Sequence, residues 1–490
     1  MTRRPGPRSG LSRRETLAVA AAAATAHAGV FSTAPVSAQT GTSRSRALWP
    51  VVDPNGGGDF RTLAEAIERT PVGATILARA GIHEVDRPLR PRAGSRIVGE
   101  GAGTVIRGRK RADALVLIAE EHVSLENLRL DGDGQRTCVD VRATYARMSD
   151  CVAEGGNPDA VVCRQGAGHA IIRGCRIRDS AGGLRLAGSS HCTVHANLLT
   201  DVDEDGILLE AAAFAALVGN IVRGTGGGGI VLDGARDSTL SANSCAESRY
   251  GIRIGRSEGL PAPVGNIVSA NVCADNREDG VTAVGPLSSV IADNTVRANG
   301  RDGIRITGAN GCTVTGNTAH ENQRAGVTIR DSTDCICTGN VSLQNGRDDG
   351  AGPRRSGVVL EGASSACAGN IVTGNRCSGG VAALTQLHGL ALIGRVEGNL
   401  IGGNLLHGNE GAGMLAENAS VLNDAIPWRR LDVTVGEQEA AIEHKLSYPP
   451  LVMSIAMAGR GQVWRSSPPD ERYVYLTADA AGRRAQVVVG

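Results

Sequence analysis

The chain of 490 residues predicts an all-β solenoid, and three features carry that reading. Asparagines recur at Asn197, Asn220, Asn243, Asn271, Asn294, Asn317 and Asn340, at steps of 23, 23, 28, 23, 23 and 23. Glycines keep the same beat at Gly183, Gly206, Gly229, Gly251, Gly280, Gly303, Gly326 and Gly357, each ahead of a short apolar run. The 67 glycines and 2% aromatics, with no collagen-like triplet, suit tight turns stacked where bulky side chains would not fit. A repeat this short cannot bury its own apolar face, so copies must stack into one continuous core. One repeat is one rung.

The first 38 residues read as an export signal. Ser12-Arg13-Arg14-Glu15-Thr16-Leu17 precedes an alanine-rich run over 18–28, and Val36-Ser37-Ala38 offers a small-residue cleavage site. The arrangement resembles a twin-arginine signal, with Thr16 and Ala18 standing where Phe and Lys are commoner. No later stretch approaches the ~20 apolar residues of a membrane-spanning helix. The expectation is a periplasmic or extracellular protein without a stable membrane span. Basic and acidic residues balance, 51 against 50, so no long-range field draws nucleic acid.

A linker over 39–50 leads to an entry module at 51–108. There Asp59 is placed to cap a helix over 60–69, whose stripe of Leu63, Ala66 and Ile67 would close the open end of the core. Strands follow at 75–78 and 96–98. In the repeats, the first and third positions after each glycine are aliphatic, as in Ile207 and Leu209 or Ile304 and Ile306, and point inward. The position between them faces solvent by the two-residue period of a strand, and reads Arg185, Leu208, Val231, Arg253, Thr282, Arg305, Thr328, Val359. A second asparagine series, Asn276, Asn299, Asn322 and Asn345, accompanies the first. Both read as structural, set at bends where asparagine tolerates left-handed backbone and its amides bond along the stack.

Insertions at 255–263 and 346–355 enlarge two turns, of the kind that wall a binding face. The solenoid is assigned to 51–425. From 426 to 490 the period is lost and Trp428, Tyr448, Trp464, Tyr473 and Tyr475 bring aromatics back. Strand-like runs there predict a small antiparallel β module that binds sugar, joins subunits or caps the core. Of the twelve cysteines, Cys245 and Cys273 share a register, as do Cys312 and Cys335. A ladder of buried free thiols is favoured over disulfides, and metal binding ranks third.

The segments Val51-Val52-Asp53-Pro54-Asn55-Gly56-Gly57-Gly58-Asp59-Phe60, Ala80-Gly81-Ile82-His83 and Val98-Gly99-Glu100-Gly101-Ala102-Gly103 resemble the N-terminal part of pectin-lyase-like proteins. Through the repeats the resemblance runs over roughly 51–422. It implies a right-handed, single-stranded parallel β-helix of about a dozen rungs. The paired-Asp and Gly-His-Gly pattern of polygalacturonases is absent, and so is the Asp-Pro-His-Asp run of alginate C5-epimerases. No catalytic set therefore carries over.

Chemistry is sought in the turns ahead of the glycines, which carry Arg249-Tyr250, Glu278-Asp279 and Arg301-Asp302. Rungs about 5 Å apart would make neighbours of Asp279 and Asp302, with Arg253 and Arg305 on the adjoining strands. A polyuronate lyase needs cations to neutralise the uronate carboxylate and a base to remove the C5 proton. Arg253, Arg305, Arg249 and Arg301 are the expected substrate-binding residues, and Asp279, Asp302 and Tyr250 the catalytic ones. No metal site is assigned; calcium would enter with lyase chemistry. Paired carboxylates also suit glycoside hydrolysis, with epimerisation beside it, and alternating Arg and Asp on stacked turns equally make solvated salt-bridge ladders. His169 and His191, in one register with His195 nearby, read as exposed histidines rather than metal ligands.

The function expected is a carbohydrate-active protein acting on or binding an acidic polysaccharide, by β-elimination if it is an enzyme. Tyr145, Phe214 and Tyr250 are too few aromatics for a neutral-glycan cleft. The alternative is a non-catalytic envelope or adhesin-like scaffold, made a homo-oligomer by its C-terminal module.

Overall fold

Each turn of the coil places one short strand in each of three parallel sheets, the architecture of a right-handed parallel β-helix. The computed structural model describes residues 49–109, 113–379, 385–417, 424–425, 429–443, 453–457, 462–470 and 472–489. The chain divides into Met1–Ala47 and Leu48–Gly490. The first unit, with the expected signal and most of the linker, lies outside the described residues, as do Trp428 and Tyr448. Sheet 1 runs from Val51–Val52 to Asp424–Ala425, sheet 2 starts at Gly81–Val85, and sheet 3 starts at Ala114–Ile118. Sheet 1 has sixteen strands, more than the dozen rungs expected. The entry module accounts for the difference. It forms rungs of its own, Thr75–Ala78 pairing with Arg96–Gly99 and that with Ser124–Glu126, without the asparagine beat.

The aliphatic pairs fill the coil as expected, with Ile207, Leu209, Ile304 and Ile306 fully buried. The entry helix, Leu63–Arg69, buries Leu63, Ala66 and Ile67. Its cap is Thr62, whose hydroxyl accepts from Glu65 N at 3.2 Å, and not Asp59, whose carboxylate instead accepts from Val51 N at 2.9 Å. A carboxylate that can hold the first strand in place is worth more there than at a helix end exposed to water.

Both asparagine series are buried ladders. Asn294 Oδ1 accepts from Asn271 N at 2.9 Å and from Asn271 Nδ2 at 3.0 Å, while its own Nδ2 donates to Val268 O and Asn317 Oδ1, each at 2.9 Å. Asn276, Asn299, Asn322 and Asn345 repeat the pattern. The asparagines themselves are not left-handed. The residue before each takes that strain, as at Ala242, Ala270, Asp293 and Gly316, which frees the asparagine side chain to turn into the core.

The anchor glycines answer to a different constraint. A Cβ on Gly303 would lie 2.6 Å from the Gly326 carbonyl oxygen of the next rung, and one on Gly280 2.7 Å from that of Gly303. Gly303→Ala should therefore spread two rungs and lower stability by about 1–3 kcal/mol, read as a shift in denaturation midpoint. An unchanged midpoint would mean that the stack yields at no cost.

Outward positions of sheet 3 depart from expectation. Arg185, Leu208, Arg253 and Arg305 are partly exposed, but Val231, Thr282, Thr328 and Val359 are buried. Thr282 sits in register between Arg253 and Arg305, so long side chains above and below cover it. Val359 belongs to a small apolar cluster on this outer surface with Ala325 and Ala391. The two enlarged turns border the same sheet. Ser257 of the first binds the Asp233 carboxylate through its N–H and hydroxyl, and Arg354, in the 3-10 segment Asp349–Arg354 of the second, pairs with Glu361 at 2.6 Å.

At the C-terminus, Arg429–Val435, Met453–Met457 and Arg483–Val489 form one antiparallel sheet, and Ala440–Glu443, Val463–Ser467 and Tyr473–Ala478 a second. Val435, Val474, Leu476 and Val487 fill the core of these sheets. Ala440–Glu443, in an acidic stretch, lacked a strand pattern in the sequence. All twelve cysteines are buried and free, and Cys245 and Cys273 are register partners.

Candidate functional site

Three strands of sheet 3, Tyr250–Gly255, Val281–Val284 and Ile304–Thr307, carry the residues singled out from the sequence. Register stacks Arg253, Thr282, Arg305 and Thr328 in one outward column. The two arginines are two rungs apart, about 10 Å. On the same sheet Arg185 is bound to Glu210 and Arg330 to Asp331, and Glu361 is bound by Arg354 of the adjoining turn. Among the described residues, Arg253 and Arg305 have no such ion pair.

Arg249 and Arg301 have a different fate. Both are held by Glu278, at 2.8 and 2.5 Å, and the Arg249 guanidinium also lies 5.1 Å from the centre of the Tyr250 ring. This is the salt-bridge ladder that stood as the plainer alternative. Burial pulls the Glu278 carboxyl upward, but bonds from Arg249 and Tyr250 and the charge of Arg301 outweigh it and hold the group ionised. Tyr250 is pushed above the usual phenol range, by burial first and then by Glu278. It therefore stays protonated at neutral pH, a donor rather than a base.

Asp279 and Asp302 turn inward, each 2% exposed. Asp279 Oδ1 accepts from Asp302 N and Asp302 Oδ1 from Ala325 N, both at 3.0 Å, and Asp205 Oδ1 accepts from Gly228 N at 2.7 Å. Each carboxyl thus fastens the turn of the rung above it. Burial, reinforced by the charge of Asp302, pushes the Asp279 carboxyl up to about 7; burial also raises Asp302, against the pull of Arg305. The arrangement sets the Asp279 and Asp302 carboxyls near Arg305, whose charge opposes their rise. The inward turn was not legible from spacing alone, because parity rules apply within strands and not in the bends that join them.

A second feature was read from the sequence only in part, as the shared register of His169 and His191. His122, Tyr145, His169, His191 and Phe214 stack ring on ring, with centroids 4.7, 5.0, 4.9 and 5.0 Å apart, and the Arg236 guanidinium caps Phe214 at 5.4 Å. The signal was present as ring residues at steps of 23, 24, 22 and 23, disguised by the change of residue type. Tyr145, His169 and His191 have both faces covered by neighbouring rings and Phe214 is closed by a ring and Arg236, so these four present their edges. Among the described residues no three His, Cys, Asp or Glu side chains gather to hold a metal ion. A polar concavity of about 690 Å³ lies elsewhere, lined by Asp179, Asp201, Asp203, Glu247 and Arg277, and its four carboxylates would repel a polyanion.

Comparison with known proteins agrees with the fold. The family described as right handed beta helix region matches residues 228–404, and that described as periplasmic copper-binding protein (NosD) matches residues 144–282. No curated protein matches the sequence. Among solved structures, the tailspike protein of E. coli bacteriophage HK620 in complex with pentasaccharide is 12% identical, with 90% of this chain and 93% of that chain covered and a TM-score of 0.57. The A-module of the Azotobacter vinelandii mannuronan C-5 epimerase AlgE4 is 15% identical over 74% of this chain and 92% of that one, with a TM-score of 0.44. At such identities the likeness is one of fold.

Proposed function

We propose that the chain is an exported protein that binds an acidic polysaccharide along the outer face of sheet 3, where Arg253 and Arg305 recognise its carboxylates. The observation that carries this reading is that these two guanidinium groups lack the ion pairs that hold Arg185 and Arg330 on the same sheet and Arg354 on the turn beside it. A 1,4-linked pyranose chain advances by close to one rung per sugar, so alternate carboxylates on one side of the chain meet arginines two rungs apart. The HK620 tailspike, of the same fold, was solved in complex with a pentasaccharide, which supports a sugar chain as ligand. In this reading residues 1–38 are a twin-arginine signal, 39–50 a linker, 51–425 the binding solenoid and 426–490 an accessory module. The match to a family described as periplasmic supports a place outside the cytoplasm.

Catalysis is the second reading, favoured by the Asp279 carboxyl poised near neutrality beside Arg305. Asp279 would take the C5 proton and Tyr250, which stays protonated, would donate to the leaving oxygen. Its burial makes binding the primary role. The test is titration of the protein with alginate, pectate and glycosaminoglycans, beside neutral dextran as control, while ultraviolet absorbance follows any unsaturated product. Arg253→Gln and Arg305→Gln should each weaken binding about tenfold or more and flatten its salt dependence. Dextran bound as well as the polyanions, or a double variant that binds unchanged, would remove the proposal.

A further inference from the structure

The outer face of sheet 3 is barred just above Arg305. The outward column that holds Arg253 and Arg305 continues in register through Thr328, Val359 and Ala391. Thr328 is 1% exposed, and Val359 and Ala391 are fully buried. Thr282 is covered by the arginines on either side of it, but Val359 lies between Thr328 and Ala391, whose side chains are too short to cover it. Its cover is the turn that joins Val341–Leu343 of sheet 2 to Ser356–Ala368 of sheet 3 and holds the 3-10 segment Asp349–Arg354. Arg354 donates from Nε and Nη2 to the Glu361 carboxylate, at 3.2 and 2.6 Å. Glu361 stands two residues beyond Val359 on the strand, in the second outward column, where it is the register partner of Arg330. Reaching it from the bend carries Arg354 over Val359. The turn is tied down as well: Ser356 Oγ donates to Pro353 O at 2.6 Å, and Arg355 donates to Gly346 O at 3.0 Å and to Glu410 at 2.8 Å.

We propose that the acidic polysaccharide is held by one of its ends, with its terminal sugars on Arg253 and Arg305 and the Arg354 turn blocking any further sugar. This rests on the reading that those two arginines hold a polyanion, and adds which part of the polymer they take. A chain that advances about one rung per sugar would meet Val359 two sugars beyond Arg305. There it would have to displace a guanidinium bound to a carboxylate that is 5% exposed. Parting that pair strands a buried charge, a cost that a few sugar contacts do not offset. In the other direction Arg253, Leu208 and Arg185 are partly exposed, and about 24 Å separates Arg305 from Arg185. An internal segment of the polymer, which carries sugars on both sides, meets the bar. A terminal segment does not. The two ends of a polysaccharide differ in chemistry and direction, so one of them fits.

The test counts proteins per polymer at saturation, by sedimentation of the full chain with alginate or pectate fractions of about ten and about a hundred sugars. Sixteen rungs make the solenoid about 75 Å long, so the short fraction has room for one protein and the long one for several. The expected count is one at both lengths. A count on the long fraction that rises several-fold overturns the proposal while leaving the polyanion reading in place. No binding at either length removes that reading, and the inference with it. Arg354→Ala combined with Glu361→Gln, which avoids stranding a buried carboxylate, should raise the count on the long fraction several-fold and leave the short one at one. A double variant with unchanged circular dichroism that still binds once per long chain overturns Arg354 as the bar. If the double variant fails to fold, the length comparison on the wild type decides.

Discussion

Asn294→Asp is expected to lower the unfolding free energy by about 3–5 kcal/mol at pH 8, although it exchanges one side-chain amide for a group of the same shape. The aspartate keeps the acceptor that Asn271 uses, but loses both donors. Its second oxygen then faces the Val268 carbonyl and the Asn317 Oδ1, lone pairs against lone pairs, at 2.9 Å in a site that is 1% exposed. A protonated carboxyl can restore one of the two bonds, so burial and repulsion raise its folded pKa above the unfolded value. The sign follows. Stability is best retained below the unfolded pKa near 4 and is lost as pH rises through the folded one. Because rungs touch only their neighbours, a break at the centre of the ladder should also divide unfolding into two transitions of smaller denaturant slope. Guanidinium melts at pH 5 and pH 8 check this. Superimposable curves for the variant and the wild type would mean that the amide ladder carries no net stability.

The same ladder marks how far the sequence can be read. Asn and Gly at a constant step gave the rung length, and strand parity placed Ile207, Leu209, Ile304 and Ile306 in the core. These succeed because stacking forces every rung into one register, so that a one-dimensional period becomes a vertical column. The reasoning failed wherever the governing contact lies in a bend or comes from another rung. Ala242 and Gly316, not the asparagines, take the left-handed backbone. Thr282 is buried by arginines 29 residues before and 23 after it. Asp279 and Asp302 point at backbone N–H groups of the next rung rather than at solvent. The site was legible as a location, since Arg253 and Arg305 do share an outward column. Its chemistry was not, because a residue list does not say that Glu278 claims Arg249 and Arg301 and leaves the other pair unbound.

Asp279→Asn should stabilise the protein, a direction rare among substitutions of buried polar residues. The amide oxygen can still accept from Asp302 N, where Asp279 Oδ1 does so at 3.0 Å, so the cap survives. What disappears is a carboxylate held by burial and by its neighbour Asp302 at a pKa of about 7. Against an unfolded value near 4, ionising that group above pH 7 costs on the order of 2–4 kcal/mol. The wild type should therefore lose stability as pH rises from about 4 to about 7, while the variant stays level across that window. The two should differ most at pH 8 and converge near pH 4. Polyanion binding has a matching sign: a neutral Asp279 no longer offsets the charge of Arg305, so the variant at pH 8 should bind more tightly, as the wild type does when pH falls below 7. Turnover separates the two readings, for a base at this position is lost with the carboxylate even as stability and affinity increase. Asp205→Asn supplies the comparison, since Asp205 also fastens a turn, through Gly228 N at 2.7 Å, but lies in a rung below Arg253. If Asp279→Asn melts no later than the wild type at pH 8, the buried carboxyl is not ionised there, and its place beside Arg305 carries neither a stability penalty nor a proton for chemistry.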